Sequence, residues 1–125
     1  MKNKQEILNG LSDFYGTEQY YKHPFTGVLF TDGIRYMAES CGAFWLIDEI
    51  AFAQRLPKIR NDDKLQEIQF WTLTVKDKSA VLTCERDEGD VAYRKTIDYT
   101  DFPLDEIKVW IEFGEKPVML LPSEH

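Results

Sequence analysis

The second half of the sequence alternates between apolar and polar residues, and this period of two constrains the fold more than any other feature. Such alternation is typical of β-strands with one buried face, because successive side chains of a strand point to opposite sides. The alternating runs are residues 70–75, 80–85, 91–99, 107–113 and 118–121. Turn-forming residues at 76–79 and 86–90 separate the first three runs. The pattern predicts about five antiparallel strands joined in chain order.

The first half carries helical periodicity instead. Residues 4–14 repeat apolar side chains at nearly 3.6-residue intervals, and a second helix is predicted from Thr31 or Asp32, either of which can cap it, to Gly42. Residues 43–54 are apolar on nearly every side, which predicts a central helix covered on most sides. An irregular segment is predicted at residues 20–24, before a proline, and a short strand or turn at residues 28–31.

Helices followed by strands predict the α+β class, with N-terminal helices packed on one face of a C-terminal antiparallel sheet of about five strands. A length of 125 residues fits one compact domain. We therefore predict a single domain over residues 1–125, with a helical half at 1–56, a surface connection, and a sheet half at 67–121.

The cysteines and the apolar runs limit the chemistry and the location of the chain. Cys41 and Cys84 lie in apolar surroundings without a paired Cys or His spacing, which predicts reduced thiols, no metal site and no cofactor. No run reaches the roughly 20 apolar residues that a membrane helix needs, and the first residues lack the apolar core of a signal peptide. The sequence predicts a cytoplasmic protein without a membrane partner.

The net charge of −7 is confined to the second half of the chain. Residues 1–60 hold seven basic and seven acidic residues, whereas residues 61–125 hold eight basic and fifteen acidic ones. An acidic surface repels nucleic acid and attracts basic proteins. This distribution predicts a basic protein partner and no direct contact with nucleic acid, although solubility alone also explains such a charge.

Polar side chains interrupt the otherwise core-like run of residues 14–54. We interpret them as a structural hydrogen-bond network, because buried polar groups need partners. Asp48 is the sharpest case, since a carboxylate in an apolar helix must be paired or protonated. The network residues are Glu18, Tyr20, Tyr21, His23, Asp32 and Asp48. The alternative is acid/base catalysis by His23 with Glu18, Asp32 and Asp48, but no catalytic residue is assigned, because their spacing matches no known motif.

A second group of residues is predicted to bind a partner. Trp110 lies on the opposite side of its strand from the apolar residues, which predicts either an exposed anchor or a side chain covered by residues 122–125. Strand pairing is expected to gather acidic residues around it. The predicted partner-binding residues are Glu85, Asp87, Glu88, Asp90, Asp98, Trp110 and Glu112.

Four segments carry a resemblance to a known family: GTEQYYKHP, FTDGIRYMAE, AFWLIDEIA and the closing MLLPSEH. With its Tyr-Tyr-x-His, Thr-Asp-Gly and aromatic-Trp-Leu-x-Asp motifs, the chain resembles an uncharacterised domain-of-unknown-function family of small phage, plasmid and bacterial proteins. The resemblance implies a non-enzymatic inhibitor of host defence, with an anti-CRISPR protein that binds an RNA-guided nuclease effector and blocks guide or target nucleic acid as the leading form. The alternatives are the small enzyme described above and a homo-oligomeric phage or plasmid accessory protein.

Overall fold

The structure is a computed structural model that describes residues 2–125. Within these residues, four α-helices and one short 3-10 helix accompany seven strands. The helices are α1 (Lys4–Leu11), α2 (Asp32–Cys41), α3 (Phe44–Ala53), α4 (Pro57–Arg60) and the 3-10 helix Pro122–Glu124. The strands are β1 (Tyr20–Lys22), β2 (Leu29–Thr31), β3 (Ile68–Lys76), β4 (Ser79–Asp87), β5 (Asp90–Ile97), β6 (Glu106–Phe113) and β7 (Pro117–Leu120). The fold is therefore mixed α+β.

None of the helices in residues 2–125 has the length and apolar character needed to cross a bilayer.

All seven strands form one sheet in the order β1-β2-β7-β6-β3-β4-β5. The prediction of five strands joined in chain order is wrong. The five alternating runs correspond to β3–β7, and β1 and β2 extend the sheet beyond β7. In addition, β6 pairs with β3 instead of β5. Both added strands have only three residues, which is too short to display a period of two, so the segment at Tyr20–Lys22 was expected to be irregular. The β2–β7 contact is parallel and joins the helical half of the sequence to its last strand.

Two hairpins build the far side of the sheet. The β3–β4 turn has positive φ at both central residues, Asp77 (51°) and Lys78 (64°), and the β4–β5 turn has Gly89 at a φ of 81°. The β3–β4 turn, with positive φ at both central residues, matches the right-handed twist of the strands that it connects. The pairing of β4 with β5 is irregular on both sides of Glu85, which sharpens the bend of the hairpin near its turn.

The caps of α2 follow the sequence prediction. Thr31 caps the start by accepting a hydrogen bond from the Ile34 N–H, and Gly42 ends the helix in the left-handed region at a φ of 61°. The side of α2 that faces the core is buried and consists of Ile34, Met37, Ala38 and Cys41. Helix α3 differs in part from its prediction, because Phe44 and Phe52 are 48% and 42% exposed. The helix is thus buried or half-buried on its other sides, and one stripe stays exposed.

One cluster of buried side chains includes residues from α1, α2, α3, α4 and the long strands. A polar network crosses it around Gln69, which is fully buried. The Gln69 amide nitrogen donates to Gln54 Oε1 (2.7 Å) and to the carbonyl of Leu65 (3.0 Å), and its oxygen accepts from Gln54 and from the indole N–H of Trp71 (2.7 Å). Full pairing makes such a buried network stabilising and fixes α3 relative to β3.

The Glu124 carboxylate fastens the end of the sequence to the start of α2. It accepts hydrogen bonds from the Thr31 hydroxyl (2.6 Å), the Gly33 N–H (3.1 Å) and the Leu121 N–H (2.9 Å). A negative charge at this position also interacts favourably with the positive end of the helix dipole. A Cβ added to Gly33 would overlap the Glu124 carboxylate and lie 2.8 Å from Leu121 Cδ1. Glycine is therefore required in the Thr-Asp-Gly motif by close packing.

We predict that Gly33→Ala destabilises the protein by about 1–3 kcal/mol, because the extra methyl displaces the Glu124 carboxylate from its donors. Helix propensity alone would give the opposite sign. Gly114→Ala is the matched control, since a Cβ there meets no atom within 4 Å. Urea unfolding of both variants checks this, and equal stabilities would show that Glu124 does not restrict position 33.

Candidate functional site

The predicted polar network divides into two separate groups, of which the first surrounds Asp32. One Asp32 oxygen accepts hydrogen bonds from the backbone N–H groups of Glu18 (3.0 Å) and Gln19 (3.4 Å), and the other accepts from the Tyr21 hydroxyl (3.0 Å). The Glu18 N–H, more than the other donors, holds the pKa of Asp32 below its usual value of 3.8. Asp32 thus orders the segment that leads into β1.

An open cavity of about 710 Å³ adjoins this group. Cations of the protein itself lie over two of the aromatic rings that line it. The Arg35 guanidinium lies 4.6 Å from the centre of the Tyr21 ring and pairs with Glu39 at 2.7 Å, while Lys2 lies 4.2 Å from the centre of the Tyr36 ring. These two rings are therefore already engaged within the protein, whereas Tyr15, which also lines the cavity, is 79% exposed.

The second group is the pair formed by His23 and Asp48. His23 Nε2 lies 2.8 Å from Asp48 Oδ1, and Nδ1 accepts a hydrogen bond from the Thr26 N–H (3.2 Å). Because Nδ1 is an acceptor, the proton of the neutral ring is on Nε2, which donates to Asp48. The sequence predicted that the Asp48 carboxylate is the buried member of the pair, and the structure shows the reverse. The histidine is buried, whereas 57% of the Asp48 side chain is exposed.

This arrangement fixes the loop between β1 and β2. The Thr26 hydroxyl lies 2.9 Å from His23 Nδ1, the His23 N–H donates to the Val28 carbonyl (2.8 Å), and the Gly27 N–H donates to the His23 carbonyl (3.0 Å). Both ring nitrogens of His23 are thus engaged, Nδ1 by Thr26 of the same loop and Nε2 by Asp48 of α3. The imidazole would have to give up one of these bonds to act as a general base.

The remaining network residues are outside these two groups or join them only in part. Tyr20 is 59% exposed in β1, and Glu18 takes part through its backbone N–H. Sequence reasoning missed Thr26 and Arg55, which bind the same loop: Arg55 Nη2 donates to the Phe25 carbonyl at 2.5 Å. Threonine and arginine are common on protein surfaces, so nothing in the sequence singles out these two residues.

Trp110 is neither a fully exposed anchor nor a side chain fully covered by residues 122–125, which are the two states that the sequence predicts. It is half-buried on the sheet, with its ring edge-on to Phe70 (5.1 Å between centroids) and to His125 (5.2 Å). The Nδ1 atom of His125 also contacts the Glu112 carboxylate. The last residue of the chain thus covers part of the tryptophan and leaves the rest open.

The strand register places some predicted partner-binding residues together and separates others. Phe70 pairs directly with Glu85 on one side and with Trp110 on the other, so all three lie on one face, with Glu85 and Trp110 roughly 10 Å apart. Asp98 follows Ile97, which pairs with Ala80 at the opposite end of β4. Asp98 therefore does not join the others around Trp110.

Most carboxylates of the β4–β5 hairpin also stabilise its turn. Glu85 accepts from the Gly89 N–H (2.7 Å), and Asp87 accepts from the Glu88 N–H (2.8 Å). Asp90 pairs with Arg86 (2.9 Å), which also pairs with Asp62 (2.6 Å). We name the surface formed by Phe70, Glu85, Asp87, Glu88, Asp90, Trp110 and Glu112 the hairpin surface. The negative charge is confined to this part of the sheet face, because the basic residues Lys108 and Arg94 lie on the same face, in the next row of cross-strand neighbours.

Burial determines the state of the two cysteines. It raises the pKa of the Cys41 thiol to about 11 and that of the Cys84 thiol to about 12, so both are protonated at neutral pH. Both are free thiols. Within residues 2–125, no three His, Cys, Asp or Glu side chains are grouped closely enough to hold a metal ion.

Replacing Asp48 tests what its pair with His23 does. Asp48→Ala leaves the buried Nε2–H of His23 without an acceptor, and we expect a loss of about 1–3 kcal/mol in unfolding free energy. Asp48→Asn keeps an oxygen acceptor and should lose much less. A chemical denaturation series measures both. An Asp48→Asn protein as stable as the wild type but devoid of its biological activity would instead assign Asp48 a chemical role.

The lowered pKa of Asp32 gives a pH prediction. A carboxyl whose pKa is depressed by folding stabilises the native state above its unfolded pKa, and that stability disappears as the pH falls through the folded value. Wild-type stability should therefore fall below about pH 4, and Asp32→Asn should reduce this fall. The exposed Asp101 provides the control, because Asp101→Asn should keep the wild-type acid dependence. Equal acid dependence in all three proteins would contradict the assignment.

Comparisons with known proteins give one match. Neither the search of curated proteins nor the search of solved structures found a similar protein. A family model matches residues 5–125, nearly the whole chain, including the residues of the Asp32 group, the His23–Asp48 pair and the hairpin surface. The resemblance to an uncharacterised family is thus confirmed. The chain belongs to DUF6876, a family of unknown function.

Proposed function

We propose that this protein is a non-enzymatic inhibitor of host defence that binds a basic protein surface through its hairpin surface. The specific form we favour is an anti-CRISPR protein, acting in the cytoplasm on an RNA-guided nuclease. The observation that carries the proposal is the register of Phe70, which lies directly between the acidic hairpin residue Glu85 and the half-open Trp110. An aromatic anchor with adjacent negative charge is complementary to a basic channel.

The nuclease channel is positively charged because it holds a nucleic-acid duplex by its backbone. A protein with a net charge of −7 is attracted to such a channel, and the exposed hairpin residue Glu88 offers its carboxylate at the tip of the turn. Occupation of the channel would block guide or target nucleic acid without any catalysis by the inhibitor. The direct partner is then a protein, and contact with nucleic acid is not required.

The proposal needs an open sheet face. Side chains of β3 and β4 that share the side of Trp110 are half-buried or exposed, whereas those on the opposite side, such as Trp71, Leu73 and Leu82, are buried. This difference supports packing of the helices on one face only. The Trp110 side would then be available to a partner.

The geometry favours this function over the enzyme alternative. His23, the one histidine in the predicted catalytic group, is buried and uses both ring nitrogens to fix its own loop. Asp32 is likewise occupied by three donors within the protein. Groups whose hydrogen bonds are already made within the protein are poorly suited to proton transfer with a substrate.

Charge reversal at Glu88 tests the electrostatic part of the proposal. Glu88→Lys should slow association with a purified guide-loaded Cas9-type nuclease and flatten the salt dependence of the rate, because exposed charges at the edge of an interface act mainly on association. Glu88 is preferable to Asp87 or Asp90, whose side chains hold the turn. Glu106→Lys, with the same charge change at the far end of the sheet, is the control. Equal association rates for both variants would contradict the proposal.

Truncation of Trp110 tests the anchor separately. Trp110→Ala should raise the dissociation rate and weaken binding by about 2 kcal/mol, roughly 30-fold, with little change in association. Surface plasmon resonance resolves the two rates, and a thermal melt checks that the variant remains folded. An unchanged dissociation rate in a folded Trp110→Ala protein would show that this face of the sheet is not part of the interface.

A further inference from the structure

An exposed aromatic stripe runs along α3, away from the hairpin surface. Phe44, Asp48 and Phe52 follow one another at intervals of four residues and therefore lie on the same side of the helix. Phe44 is 48% exposed, Phe52 42%, and the Asp48 side chain 57%. Arg55, also exposed, follows three residues after Phe52. Large apolar side chains exposed along one side of a helix are candidates for an interaction surface.

Phe25 extends the stripe from the neighbouring β1–β2 loop. Its ring is 72% exposed and stacks on Phe52 with 6.2 Å between the centroids. The loop cannot move freely, because its backbone is held by Arg55 and the side chain of His23 is bonded to Asp48. A rigid exposed aromatic loses little conformational entropy when it becomes buried, so Phe25 has the properties of a preorganised interface anchor.

The charges on the stripe indicate what covers it. Asp48 and Arg55 are seven residues apart, about 10 Å along a helical path. If a second copy lies antiparallel across a two-fold axis, Asp48 of each copy faces Arg55 of the other, and the two Phe52 rings meet near the axis. Apolar surface then covers apolar surface, and opposite charges are paired twice. A parallel arrangement would instead place like charges together.

We propose that two copies of this chain associate across a two-fold axis through the aromatic stripe, defined as Phe25, Phe44, Asp48, Phe52 and Arg55. Phe25 and Phe52 of both copies form the centre of the interface, and an Asp48–Arg55 pair lies on each side. The interface uses no residue of the hairpin surface. It therefore goes beyond the proposed function, and the two can be tested independently.

Sedimentation equilibrium of the full chain between about 1 and 100 μM tests the dimer directly, with a dimer expected within this range. Phe25→Ser should weaken it strongly. Loss of one anchor costs about tenfold, and each substitution occurs twice in the dimer, so the dissociation constant should rise about 100-fold. Tyr99→Ser is the matched control, since Tyr99 is an equally exposed aromatic (70%) outside the stripe.

The charge pair is tested by Arg55→Glu, which should raise the dissociation constant at least tenfold by placing two carboxylates together. Arg60→Glu makes the same charge change outside the stripe and should leave the dimer intact. Thermal melts verify folding. A wild-type monomer at about 100 μM overturns the proposal. So does a dimer that responds equally to Phe25→Ser and Tyr99→Ser, or to Arg55→Glu and Arg60→Glu.

Discussion

The Glu124 carboxylate joins segments of the chain that are 93 residues apart, and the position of α2 against the sheet depends on this contact. It satisfies two groups at the start of α2 and a third in its own segment, while β7, immediately before it, pairs in parallel with β2. Together these contacts hold the start of α2, which Thr31 caps, against the segment that follows β7. Asp32, the first residue of that helix, can then accept the hydrogen bonds that order the segment before β1. Because the Glu124 carboxylate lies against Gly33, no room remains at that position for a side chain.

Local sequence chemistry predicted the parts of the fold that depend on neighbours in the chain. The caps of α2 at Thr31 and Gly42 and the five longer strands follow from propensity and periodicity. The β2–β7 pairing and the role of Glu124 could not be predicted, because they join distant segments and leave no periodic pattern. The same reason explains α3: its apolar sequence resembles that of a buried helix, whereas Phe44 and Phe52 are exposed on a stripe that tertiary packing leaves uncovered.

In the candidate sites, too, the sequence indicated which residues need partners but did not predict where the fold places them. The sequence identified His23 and Asp48 as polar residues in need of partners, and the structure pairs them, but with the histidine rather than the carboxylate buried. The acidic residues of the second half separate into a hairpin group and the distant Asp98, because strand register, which composition does not encode, decides which side chains meet. Several of the hairpin carboxylates also hold their own turn, so net charge overstates how many are available to a partner.

Hydrogen exchange would test most directly whether the hairpin surface is the binding site. We would measure amide protection in the full chain with and without a purified guide-loaded Cas9-type nuclease. We predict that protection increases in peptides covering residues 85–91 and 108–112, because these form the acidic turn and the strand of Trp110. Exchange unchanged in both peptides, or protection limited to Phe25 and α3, would contradict our central proposal.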